Sequence, residues 1–318
     1  MKYAIGTITK SGGTDCHRQM IPIIKTLMES NSWVTQRYVT DEEWIGKSQG
    51  LSGTEEIFLG VKAYESVNSD VYNMDVATFT GYIPQNTFET QPGIGRYGVF
   101  SHNNAITYYL SANAQMITGC LKVGTPVYSH FYIGKALAYA RPTEYPAPLV
   151  VGGMVPGGEL TRFSDPVAEW PYHSPNNNTH LSIRNANGSY ITPAVDPFTG
   201  GGSSGGSTFL KISSTAGCVP VQGLYLNFPM IISDFTFSQT VERRNVYGEL
   251  QNVYGVSGFN NGPENVQQEG GSSVVDQSGM TPLQAVQAIH AVNGRAFVVL
   301  QNVARTRFCD FLAMEMVA

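Results

Sequence analysis

Charge is what this sequence has least of. Only 14% of its residues are Asp, Glu, Lys or Arg, against about 25% in an average soluble chain, so something other than ionic groups must cover much of the surface. The charge that is present sums to −5 and holds no run of Lys or Arg, which removes the electrostatic footprint that holding nucleic acid phosphates requires. Cysteine is scarce as well. Cys16, Cys120, Cys218 and Cys309 stand far apart and form neither a C-x-x-C pair nor a Cys/His ligand set, so they read as reduced, mostly buried thiols. No apolar run approaches the roughly 18 residues of a membrane helix. The first residues alternate and then reach Gly12-Gly13 without the apolar segment of a secretory leader, so no export is expected, and Asn177-Asn-Thr and Asn187-Gly-Ser are read as Asn-rich turns and not as glycosylation sites.

Signature chemistry is missing too. There is no G-x-S-x-G, Walker loop, H-E-x-x-H or EF-hand loop. His17, His102, His130, His173, His180 and His290 never fall four apart on a helical pattern. The acids Glu55-Glu56, Asp41-Glu-Glu43 and the pair Asp70 and Asp75 could supply the two carboxylates of a glycosidase, but they sit where solvated turn acids are the plainer expectation. The glycines at 152–153, 157–158 and 200–206 precede no capped helix, so they suit turns and a linker better than a phosphate cradle. Trp44, Trp170, Tyr128, Phe131 and Tyr132 could form a sugar platform, although strand alternation sends half of such residues inward. No catalytic residue, metal or cofactor is therefore assigned.

What remains is β-forming material. The chain of 318 residues holds 34 Gly and 17 Tyr, a palette common in β-rich proteins that meet others through polar, uncharged faces. Its length suffices for a large core without cross-links. Strands are predicted at 3–9, 33–39, 56–67, 71–83, 106–123 and 126–137. One helix is predicted after a cap at Thr14 or Asp15, with Met20, Ile23, Ile24 and Leu27 on one stripe and Pro22 either in an early turn or opening a second, shorter helix. Residues 41–55 read as a glycine-rich loop bearing an exposed Trp44. Asn187-Gly188 and Asn293-Gly294 mark hairpins, because both central positions of such turns need positive φ, and 308–317 forms a closing strand. The expected fold is mainly β: antiparallel, sandwich-like sheets with one N-terminal helix and long Gly/Pro-rich loops. Its expected parts are a β-rich domain over 1–140, a loop-rich insertion or second lobe over 141–230, and C-terminal strands over 231–318.

Four segments carry a resemblance: Gly50-Leu-Ser-Gly-Thr-Glu-Glu-Ile-Phe-Leu-Gly60, Thr78-Phe-Thr-Gly-Tyr82, Pro148-Leu-Val-Val-Gly-Gly-Met154, and 245–261 with Asn245-Val-Tyr-Gly-Glu-Leu250 and Val256-Ser-Gly-Phe-Asn-Asn261. With them the chain resembles uncharacterised structural proteins of tailed bacteriophages. That resemblance implies a non-enzymatic virion component of the tail, neck, collar or baseplate, assembled in the bacterial cytoplasm. Its partners would be copies of itself in a symmetric ring and neighbouring virion proteins, with no membrane and no specific nucleic acid. Loops at 41–55, 84–104 and 155–209 would reach adjacent subunits, anchored by Trp44, Phe88, Tyr97 and Trp170, since large aromatics dominate interface energies. The alternatives are a receptor- or carbohydrate-binding virion module centred on Trp170 and, behind it, a virion glycan hydrolase.

Overall fold

The structure, a computed structural model, describes residues 2–124, 127–135, 137–138, 149–165, 180–184 and 188–191, and, mostly as backbone, 208–211, 224–227, 231–234, 297–304 and 307–315. Trp170, the 200–206 glycine tract, the Asn293-Gly294 turn, the segment 245–261, Cys218, His173 and His290 lie outside the described residues, as does the side chain of Cys309.

Two antiparallel sheets dominate. The first contains β1 (Lys2–Thr9), β7 (Ala105–Ala112), β8 (Met116–Lys122), β9 (Tyr128–Lys135), β11 (Leu149–Gly152), β13 (Leu181–Arg184) and β14 (Tyr190–Ile191), neighbours in that order. The second runs β12 (Val155–Pro156), β6 (Gly95–Val99), β5 (Val71–Phe79), β4 (Ile57–Ser66), β3 (Glu43–Ser48), β2 (Val34–Val39). Their inner faces share one core, in which Val61, Val76 and Val99 meet Leu110, Phe131, Ile133 and Val150, so the pair is a β-sandwich. Two small sheets follow the order β10 (Leu137–Ala138), β17 (Ile231–Asp234), β15 (Thr208–Lys211) and β16 (Leu224–Asn227), β19 (Arg307–Glu315), β18 (Phe297–Ala304). Each of these holds one parallel pair, β10 with β17 and β16 with β19.

The helix α1 spans Cys16–Glu29 without interruption, with Pro22 inside it. It lies against β1 and β7 of one sheet and β2, β3, β4 and β5 of the other, so it packs along the side of the sandwich whose edge strands are β1 and β2. Met20, Ile21, Ile24, Leu27 and Met28 recur at helical spacing, and all are buried. Asp15 precedes the helix with extended backbone, but its side chain makes no capping bond.

The chain crosses from one sheet to the other after β11. Met154 N–H donates to Gly98 O of β6 at 2.8 Å, and Gly153 N–H donates to His180 O at 2.9 Å. A Cβ on Gly153 would stand 2.6 Å from Gly98 O, so only glycine lets the two backbones come this close.

Three expectations need correcting. The run 106–123 is two strands, β7 and β8, because Asn113 Oδ1 accepts from Gln115 N–H at 2.7 Å and Met116 N–H at 3.0 Å and so closes a turn. The 41–55 segment contains β3, paired on one side with β2 and on the other with β4. Trp44 of β3 is fully buried, with Nε1–H donating to Thr35 Oγ1 at 2.8 Å. One expectation needs no correction: the predicted hairpin at 181–192 is present as β13 paired with β14, Ile183 opposite Ile191, with Gly188 at φ +93.

Candidate functional site

The open margins of the sandwich are where another chain could join by main-chain pairing, and its edge strands differ in how they are blunted. The edges β12 and β14 are two residues long, too short to template a partner. At β2 the register shifts between Thr35 and Arg37, and this bulge together with the Arg37 charge turns that edge aside. β1 is blunted least: it carries one exposed charge, Lys2, at its start, and Gln19 Nε2 of α1 donates to the Thr9 carbonyl at 3.3 Å at its end, which leaves the stretch between them open. Its eight residues pair in unbroken register with β7, from Lys2 opposite Ala112 to Thr9 opposite Ala105, and among the described residues no strand lies on its other side.

β1 also presents apolar side chains to solvent. Tyr3 is 46% exposed and Ile5 49%, and strand alternation puts both on the face away from the core. Ile5 lies opposite Tyr109, and Tyr109 packs against Cys120, Leu300 and Met314. The exposed strip at the margin is therefore continuous with the apolar contact that seats β18 and β19 on the outer face of the sheet.

Two of the predicted aromatic anchors, Trp44 and Phe88, serve the chain's own interior. Phe88 is fully buried; it follows β5 on the segment that folds back over the second sheet and meets Phe79 edge to face, ring centroids 5.3 Å apart. Gly60 makes room for that pair, since a Cβ there would stand 2.8 Å from both rings. Gln91 fastens the same segment by bonding Ile83 N–H and the Ile83 and Asn86 carbonyls. Burying a Trp or Phe side chain in this way stabilises the fold by roughly 2–3 kcal/mol, which leaves Trp44 and Phe88 nothing to offer a partner. Tyr97 is half-buried, with its hydroxyl 2.7 Å from Ser182 Oγ. Tyr3 and Ile5 were missed because an alternating strand does not reveal from sequence that it lies at a sheet margin.

Several of the acids singled out from the sequence are held in ion pairs or buried. Glu55 pairs with Lys135, Glu56 with Lys47, Glu42 with Arg18 and Glu43 with Arg37. Asp75 is buried mid-strand, bonded to Arg96 Nη1 at 3.1 Å and to Gly158 N–H at 2.9 Å. Burial nevertheless wins over both partners and pushes its carboxyl up to about 6. Cys120 and His130 face each other across β8 and β9 with Sγ 3.6 Å from Nε2, but both are buried, and burial drives the thiol well above its ordinary range, the reverse of what a nucleophile needs. Phe131 and Tyr132 are core residues.

One polar cluster differs from these ion pairs. Asp15, His17 and Glu65 bring their ligand atoms within 4.8 Å of one another. His17 is fully buried, and burial holds its imidazole down to about 4 against the pull of Glu65. Its Nε2 lies 3.2 Å from Glu65 Oε2, yet neither ring nitrogen is aligned in a hydrogen bond. Among the described residues no helix is long and apolar enough to cross a membrane. Comparison with protein-family models and with curated protein sequences finds no match for this chain.

Proposed function

We propose that this chain is a non-enzymatic structural subunit that assembles with copies of itself, in the tail, neck, collar or baseplate of a tailed bacteriophage. The observation that carries the reading is β1: an eight-residue edge strand in unbroken register, open between Lys2 and Thr9, with Tyr3 and Ile5 exposed on it. An edge strand left this way joins another strand readily. The low charge agrees, since a surface with few ionic groups to desolvate loses little when a neighbour covers it. The position in a phage particle rests on the resemblance of the four segments, of which 50–60 leads into β4, Thr78–Tyr82 ends β5 and 149–154 carries the crossing between sheets.

The test has two arms. Sedimentation and negative-stain microscopy of the purified full chain should show a closed oligomer, and mass spectrometry of purified particles from its source should find it at many copies. A concentration-independent monomer that is absent from particles would overturn the proposal.

A further inference from the structure

We propose that Asp15, His17 and Glu65 form a binding site for a divalent cation of the zinc class, clamping the start of α1 to the end of β4. Asp15 is the residue before the helix, His17 lies in its first turn, and Glu65 is next to last in β4. Acids near a histidine would mean little alone. Here the histidine is 0% exposed and neither ring nitrogen makes an aligned hydrogen bond: Nε2 stands 3.2 Å from Glu65 Oε2, and Nδ1 has no hydrogen-bond partner. A buried imidazole left this way loses its hydration without a full replacement, and a cation between the three side chains would supply one.

The spacing suits such an ion. Zinc bonds to N and O near 2.1 Å set ligand atoms roughly 3.4 Å apart in a tetrahedron. Nε2 and Glu65 Oε2 already stand at 3.2 Å, and a change of Asp15 rotamer closes the remainder. One imidazole with two carboxylates favours zinc, cobalt or manganese over calcium and magnesium, which take oxygen ligands. Glu65 lies on the exposed rim, which leaves the fourth position to water.

Two cations now compete for the carboxylates. Lys10 Nζ is 2.6 Å from Asp15 Oδ1 and Arg18 Nη2 is 3.1 Å from Glu65 Oε1. Lys10 is 47% exposed, so it can turn to solvent with little loss. Arg18 now bonds both Glu65 oxygens, Nε to Oε2 at 3.4 Å and Nη2 to Oε1 at 3.1 Å; it would give up only the longer bond, keeping Oε1 and Glu42 within reach.

The experiment titrates Zn2+ into the metal-stripped full chain by calorimetry, follows the melting temperature, and records the visible absorption of a Co2+-loaded sample. One Zn2+ per chain is expected at this site, with a rise in melting temperature, because a ligand that binds only the folded state stabilises it. Glu65→Gln and Asp15→Asn, both outside the core, should each weaken binding at least ten-fold and abolish the Co2+ band. Lys10→Ala should tighten binding by removing the competitor. No heat and no melting shift in the unaltered chain, or an identical titration in the two carboxamide variants, would overturn the proposal. None of these readouts depends on whether the chain assembles.

Discussion

Asp75 shows how one residue can set the pH response of the fold. Its carboxyl titrates at about 6 in the folded chain against an ordinary value of 3.8, so between those values the folded state binds more protons than the unfolded one. Stability contributed by this group is therefore greatest at low pH and is lost as pH rises from about 4 through 6. At about 1.4 kcal/mol per pH unit of difference, the full swing is roughly 3 kcal/mol. The groups around it are Arg96 and Lys62, which pull the pKa down, and Glu89, which pushes it up. Asp75→Asn keeps an oxygen for Gly158 N–H and removes the titration. Urea midpoints measured from pH 4 to 7.5 should show the unaltered chain losing stability relative to Asp75→Asn as pH rises; parallel curves would refute the assignment. From sequence Asp75 reads as a solvated turn acid, because nothing local reveals that its arginine arrives from a neighbouring strand, 21 residues on. The metal-type cluster was hidden for the same reason, since Glu65 reaches His17 only through the packing of β4 on α1.

At the level of elements, the readable segments were those with a strong local period. β1, α1, β2, β4, β5 and β9 all lie where alternation or helical spacing placed them. β3 escaped because both of its faces are covered, Trp44 by the main core and Ile45 by the Phe79–Phe88 cluster, so no alternation marks it. Its glycine, which looked like a loop signal, is there because a Cβ on Gly46 would stand 2.2 Å from the Trp44 ring. α1 carries a different lesson. Pro22 does not split the helix, because the buried stripe on both sides of it outweighs the missing N–H and the ring's crowding of the preceding turn, about 3 kcal/mol in a helix interior. Pro22→Ala should recover part of that, stabilising the chain by roughly 1–3 kcal/mol, as read from the urea midpoint. A loss of stability would mean that the ring's packing against its neighbours outweighs the backbone penalty.

For the whole molecule, composition pointed to the β class and to a surface poor in charge, but only the sheet order shows where that surface is open. The sandwich shields its margins unequally: two by shortness, one by a bulge and a charge, and β1 only at its ends, by Lys2 and by the Gln19 bond to the Thr9 carbonyl. If the chain joins its copies through that margin, the contact consists of main-chain bonds with Tyr3 and Ile5 beside them, and a charge on those side chains should prevent it, as lysine does on natural edge strands. Tyr3→Lys with Ile5→Lys should leave the fold within about 0.5 kcal/mol per site, as expected for exposed positions. The same pair should shift the concentration for half-assembly upward by at least ten-fold in sedimentation velocity. Val34→Lys, placed on the already blunted β2 edge where Val34 is 62% exposed, is the control and should assemble as the unaltered chain does. Assembly undisturbed by the β1 pair but lost in the β2 control would move the contact to the β2 margin of the other sheet and remove the observation on which the assembly reading stands.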